Sequence, residues 1–209
     1  LLLFYGNIYL IERWKIMIYL IVGASGSGKS TIGKILEEQG IPQLVSFTTR
    51  QKRKGEIDGQ DYHFITQEKL EALSEKSIAE ISEYNGNYYG LTKREVSDKL
   101  DEFREVYFVT NEDGAKQIID MYPEDTVVFW LNVKIETMVE RMRARGDREE
   151  DILSRVEHAI DNKEIFPPKS IEKYLYILDA DNTPEELSGE IIDRIYDIEM
   201  EKEYTWKSL

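Results

Sequence analysis

Six consecutive apolar residues, Met17-Ile18-Tyr19-Leu20-Ile21-Val22, open the ordered pattern of the chain. A β-prone run with no polar interruption reads as a strand buried on both faces of a parallel sheet. From Thr31 the period changes: Ile32, Ile35 and Leu36 recur at helical spacing, and Gly40 stands where that helix would stop. Residues 43–47 predict a second short strand. A polar, basic loop follows over 48–64, then a short helix near 67–73. Alternating segments around 78–84 and 87–89 flank Asn85-Gly86, a strong hairpin signal. The stretch from about 48 to 100 therefore predicts a small strand-rich insertion. Strand and helix then alternate: strand 105–110, helix 113–121, strand 126–133, helix 135–143. A charged loop over 145–151 leads into a long helix to about 164, Pro167-Pro168 breaks the chain, and 174–178 reads as the last strand. Thr183-Pro184-Glu185-Glu186 predicts a helix start with a Thr cap, Pro at the first position and Glu completing a capping box. The tail after Ile198 is expected to be polar and frayed. Five such alternations predict an α/β fold with a central parallel sheet flanked by helices.

Composition narrows the chemistry. The 209 residues suit one α/β domain with modest insertions, and 41% hydrophobic with 33% charged residues describes a globular protein. The absence of cysteine excludes disulfides, thiolate metal sites and cysteine nucleophiles. Two histidines, His63 and His158, leave little scope for a histidine metal centre, and neither is assigned any chemistry. A formal net charge of −14 argues against nucleic acid or an anionic membrane as partner. Residues 1–16 are broken by Gly6, Asn7 and Glu12, too short and interrupted for a membrane span and without the marks of a secretory signal. Met17 is the expected natural start, 1–16 an extension outside the fold, and the cytoplasm the expected location.

The loop after the first strand carries the clearest chemistry. Gly23-Ala24-Ser25-Gly26-Ser27-Gly28-Lys29-Ser30 fits G-x-x-x-x-G-K-[ST], between a buried strand and a helix start as a phosphate-cradling P-loop requires. Backbone N–H groups of 23–31 and the new helix's positive end would face the phosphates of a nucleoside triphosphate. Lys29 would reach the outer phosphates, the Ser30 hydroxyl a Mg²⁺ ion, and Thr31 completes the cradle. In so acidic a chain, clustered arginines mark where further phosphate is handled. Arg50 and Arg53 lie three apart with Tyr62 beyond them, two guanidinium forks and a phenol suited to a second phosphate. Alone, this loop would also read as an ordinary solvated basic segment.

It does not stand alone. Ser46-Phe47-Thr48-Thr49-Arg50-x-x-Arg53-x-Gly55-Glu56-x-x-Gly59-x-Asp61-Tyr62-x-Phe64 closely resembles the signature of guanylate kinases. So does Glu80-Ile81-Ser82-Glu83-Tyr84-Asn85-Gly86-Asn87-Tyr88-Tyr89-Gly90, and the order of motifs matches that family over 17–198. The resemblance implies a core at 17–46 and 101–198, a GMP-binding insertion at 47–100, an arginine-rich lid at about 141–155 and a tail at 199–209. It implies ATP-dependent phosphorylation of GMP, or dGMP, with Mg²⁺, by a monomer or homodimer. By the same resemblance Ser46 contacts guanine, and Arg50, Arg53, Tyr62 and Tyr89 hold the GMP phosphate. Arg141, Arg145 and Arg155 close over the ATP phosphates, and Asp179 stands at the asparagine position on the adenine side. Lys29, Arg50, Arg141, Arg145 and Arg155 then form the catalytic set. Arg143 and Arg148 are unmatched and read better as ion pairs with Glu140, Glu149 and Glu150.

Base chemistry agrees. Guanine presents N1–H and its 2-amino group side by side, so the two oxygens of Glu80 could accept both; adenine would strand the carboxylate. Without its motif, Glu80 would read as a solvated strand carboxylate. Three departures mark the chain as divergent. Val109 and Asn111 stand where the family usually has two aspartates, one of which helps the guanine and the metal side. Leu91 replaces a Ser or Thr, with Thr92 adjacent, and Lys52 replaces a Pro. The competing readings are a kinase for another nucleoside monophosphate or a sugar phosphate, and a non-catalytic guanylate kinase-like module. The intact Gly28-Lys29-Ser30 weighs against the module.

Overall fold

The computed structural model describes residues 16–84 and 86–207. The expected extension 1–16 and the turn residue Asn85 lie outside the described residues, Ile16 excepted. The central sheet is four parallel strands in the order β6-β1-β7-β8, with β1 Met17–Val22 between β6 Glu105–Thr110 and β7 Thr126–Asn132, and β8 Leu175–Asp179 at one edge. Beside β6, the expected strand at 43–47 is reduced to a bridge between Gln43 and Tyr107. That bridge is complete, with Tyr107 N donating to the Pro42 carbonyl and Leu44 N to the Tyr107 carbonyl, and Phe47 is drawn into a second sheet instead.

Pleating divides β1 between two cores. Tyr19 and Ile21 pack with Ile32 and Leu36 of α1 (Lys29–Glu38), with Met138 and Met142 of α5 (Ile135–Ala144), and with Leu187 and Ile191 of α7 (Pro184–Lys207). Ile18, Leu20 and Val22 face the other way, onto Val96 and Leu100 of α3 (Lys93–Phe103) and Ala115 and Ile118 of α4 (Glu112–Met121). Both faces of the sheet are thus covered, which is why the strand reads as unbroken apolar sequence.

A second sheet runs β3-β2-β5-β4, from β2 Phe47–Thr48, β3 His63–Phe64, β4 Ile78–Tyr84 and β5 Asn87–Thr92. The short helix α2 (Gln67–Ala72) is capped by Thr66, whose hydroxyl accepts from Lys69 N. Helix α3 was not among the predicted elements, and the expected boundary at 100/101 falls inside it. Thr92 caps it by accepting from Glu95 N, and Val96 and Leu100 supply its buried stripe. Helix α6 (Glu149–Asp161) starts inside the expected loop 145–151, with acidic Glu149, Glu150 and Asp151 in its first turn complementing the helix dipole. The capping box at Thr183 forms as expected: Thr183 N donates to Glu186 and Glu186 N to Thr183 Oγ1. The tail is not frayed after Ile198, because α7 continues to Lys207 through good helix formers with no Gly or Pro. Among the described residues no helix is long and apolar enough to cross a membrane.

Gly90 lies where three strands converge. A Cβ there would fall 2.4 Å from Phe47 Cζ and 2.6 Å from the Glu80 carbonyl oxygen. Gly90→Ala is therefore expected to lower unfolding free energy by about 1–3 kcal/mol, as overpacking does. Chemical denaturation measures it, and an unchanged midpoint would show that the strands can part at no cost.

Candidate functional site

The carboxyl end of β1 delivers the chain into the glycine loop. Gly26 and Gly28 take φ of +82° and +105°, and a Cβ on Gly26 would press the Met138 carbonyl oxygen at 2.9 Å. The loop closes on itself: Lys29 Nζ donates to the carbonyls of Gly23 at 2.7 Å and Ala24 at 2.9 Å. Burial holds the Lys29 ammonium down to about 8; Glu164 pulls it back up, and Arg145 and Arg155 push it further down. Ser30 and Thr31 follow at the start of α1, with Ser30 exposed. The Ser27 hydroxyl is buried without a partner.

Three predicted arginines gather around this loop. Arg141, on α5, donates from Nη1 to the Ser27 carbonyl at 3.2 Å and from Nη2 to the Ala180 carbonyl at 2.6 Å. It thus bridges the loop to the segment just after β8, whose last residue, Asp179, accepts from Asp181 N through one carboxylate oxygen. Arg155, on α6, donates to Ser25 Oγ at 3.1 Å. Arg145, at the end of α5, is gripped by Asp147. Arg143 and Arg148 pair on the surface, with Glu149 as expected and with Asp151 in place of Glu150.

The basic loop and the second sheet form the other half. Arg50 makes a two-pronged ion pair with Glu56, Nη2 to Oε1 at 2.7 Å and Nη1 to Oε2 at 3.1 Å. Glu56 is the main reason the Arg50 pKa rises, and a hydrogen bond that Arg50 donates to Tyr89 adds to it. The Arg50 guanidinium lies 5.5 Å from the Tyr62 ring centre, and Tyr62 meets Tyr89 edge-on at 5.8 Å. Arg53 is exposed, its backbone N–H donating to the same Glu56. Arg50, Tyr62 and Tyr89 are brought together. Arg53 and Ser46 flank them, with the Ser46 carbonyl accepting from His63 N.

Glu80 is not a solvated strand carboxylate. It is 2% exposed, with Oε1 lacking a partner, and burial lifts its pKa to about 7 against a hydrogen bond from Ser82. A register shift between Ile78 and Glu80 turns it inward, as β-bulges do near sites. It reaches the first turn of α4, where a Cβ on Gly114 would lie 2.9 Å from Glu80 Oε1 and 2.0 Å from Thr110 Oγ1. Asn111 caps that helix, its Oδ1 accepting from Gly114 N at 2.9 Å. Gln117 binds both backbone groups of Ile81, tying α4 to β4. Leu91 is core, and the Thr92 hydroxyl is occupied by its cap.

Sequence reasoning passed over Glu56, Asp147, Glu164 and Gln117. A carboxylate set among several arginines was the available signal for Glu56 and Asp147. Among the described residues no three His, Asp or Glu side chains gather as a metal site.

The family model described as guanylate kinase matches residues 15–188. A curated guanylate kinase of Fusobacterium nucleatum is 35% identical over 146 residues, 68% of this chain and 79% of that protein. The crystal structure of guanylate kinase from Anaplasma phagocytophilum superposes with a TM-score of 0.61 at 26% identity, covering 89% of this chain and 87% of that one. With the family model matched over most of its length and a curated relative at 35% identity, the chain belongs to the guanylate kinase family.

Proposed function

We propose that the protein transfers a phosphoryl group from ATP to GMP, giving ADP and GDP. The observation that carries it is Glu80, a buried carboxylate with an unpartnered oxygen, set in the sheet that also presents Arg50, Tyr62 and Tyr89. An acceptor-only group in a dry site selects a base edge made of donors, which is guanine's. In this reading Arg50, Arg53, Tyr62 and Tyr89 hold the acceptor phosphate, Ser46 and Asn111 border the base, and 23–31 with Asp179 hold ATP. The acceptor phosphate is already an anion, so no general base is needed; catalysis is positioning and charge neutralisation.

Lys29 exchanges its two loop carbonyls for outer phosphate oxygens, while Arg141, Arg145 and Arg155 neutralise charge on the group in transit. The donor set suits Mg²⁺ arriving with the nucleotide: an exposed Ser30 hydroxyl and, among the described residues, no carboxylate cage fit an ion that keeps its waters and leans on phosphates. Bound there, the ion would neutralise β- and γ-phosphate charge. The 17–46 and 101–198 segments act as core, 47–100 as the acceptor-binding insertion and 141–155 as the lid that excludes water.

A panel of GMP, dGMP, AMP and CMP with ATP tests the reading; turnover of AMP equal to GMP would refute it. Lys29→Met is expected to cut kcat by roughly 100-fold or more. In the parent, ATP affinity should weaken by up to about tenfold per pH unit above about 8, since phosphates require the charged ammonium and the free enzyme releases that proton there. Lys29→Met should show no such break.

Glu80→Gln should raise the KM for GMP at least about tenfold, because an amide turns a donor toward a donor. The same variant should stabilise the nucleotide-free protein. A carboxyl raised from its ordinary 4.5 to about 7 contributes stability at low pH that is lost as pH rises through that window. The loss is on the order of 3 kcal/mol. Unfolding curves at acid and alkaline pH should therefore converge for Glu80→Gln; an unchanged gap would place the titration elsewhere.

A further inference from the structure

We propose that Asp147 is the positioning residue of the arginine lid: its carboxylate gathers Arg145 and Arg155 around one anion and holds both guanidinium groups at the mouth of the glycine loop before a nucleotide arrives. The proposal rests on the reading of Arg145 and Arg155 as lid cations. These arginines belong to different helices. Arg145 ends α5, Gly146 turns the chain at φ +88°, and Arg155 lies within α6, which begins at Glu149. Helix geometry alone does not require them to meet.

Asp147 touches both. Arg145 Nε lies 2.9 Å from each of its oxygens and Nη2 lies 2.5 Å from Oδ2, while Arg155 Nη1 reaches the same Oδ2 at 3.4 Å. That Arg155 nitrogen also donates to Ser25 Oγ at 3.1 Å, so the carboxylate stands one guanidinium away from the phosphate cradle. Two guanidinium groups beside the Lys29 ammonium repel it and each other. A carboxylate between them offsets that repulsion. It also accepts in the forked geometry that a phosphate would, so the arginines are held in the arrangement phosphate requires.

Ordinary surface pairing is the competing account, and the neighbours show what that looks like. Arg143–Glu149 and Arg148–Asp151 join one arginine to one acid each, out on the exposed surface of the lid helices. Asp147 is less exposed than either acid, at 20%, and is shared between two helices. A partly exposed pair contributes little to stability. Its effect is therefore expected on the order of the lid and the rate, and not on melting.

Steady-state kinetics of Asp147→Asn, Arg155→Ala, the double variant and Asp147→Glu decide the matter. Asp147→Asn should lower kcat by roughly tenfold, leave the KM for GMP unchanged and leave the nucleotide-free melting temperature in place. Arg155→Ala should lower kcat further, and adding Asp147→Asn to it should cost less than the two single losses combined, because part of the acid's effect passes through that arginine and the rest through Arg145. Asp147→Glu should recover most of the lost rate. An unchanged kcat in Asp147→Asn beside a crippled Arg155→Ala would overturn the positioning role alone, whereas a fully active Arg155→Ala would overturn the lid reading beneath it. Tighter ATP binding at unchanged kcat would make Asp147 a competitor for the arginines, and additive losses or a fall in melting temperature not restored by Glu would make it structural. Each of these results refutes the proposal.

Discussion

A strand covered on both faces has only its ends through which to meet a ligand. β1 is such a strand, wholly buried, with β6 and β7 alongside it and helices above and below. Parallel pairing brings the carboxyl ends of its neighbours to the same edge: β6 runs into Asn111, β7 toward Lys134 and β8 into Asp179. Loops at that edge are free of the sheet's hydrogen bonding, and their N–H groups face outward, where open α/β sheets take their ligands. The glycine loop, the cap of α4 and the Asp179 turn are thus neighbours because of one burial constraint.

The second theme is how an acidic chain stores positive charge. Lys29 and Arg141 are held by backbone carbonyls, Arg50 by Glu56, and Arg145 and Arg155 by Asp147. Carbonyls satisfy a cation without adding charge, so nothing at the loop offsets the burial that holds Lys29 down to about 8 except the more distant Glu164. Carboxylates hold arginines more firmly. The surplus of 41 acidic over 27 basic residues is not spread evenly in its effects, because a few of those acids shape the cation sites.

Most of the fold was legible because its elements carry local signals: the unbroken run at 17–22, the Thr183 capping box, the alternation on either side of Gly86. The misses have physical causes. α3 hid in a stretch where two buried residues, Val96 and Leu100, suffice for a helix that lies against the sheet. The strand expected at 43–47 is divided, Gln43 bridging to β6 and Phe47 pairing in the second sheet. Of the site, spacing exposed the glycine loop and the paired arginines, since those patterns are contiguous. Glu80 could be weighed only through its motif, because its burial arises from a bulge and from α4, more than thirty positions away in sequence. Gln117 was invisible for the same reason, since its partner Ile81 is equally remote, whereas Glu56 and Asp147 carried a local signal, an acid set among arginines, that was passed over.

If Arg50 holds the acceptor phosphate as proposed, its fork with Glu56 bears on how that phosphate is sensed. A phosphate that takes this arginine does not add an ion pair to an idle cation; it replaces one oxyanion by another. Counterions are then exchanged within the protein and not released wholesale into solution. Affinity at such a site reflects a comparison of two anions, dianionic phosphate against a tethered carboxylate, and ionic strength acts on both sides of that comparison. The site thereby reads the identity of the anion more than the salt around it.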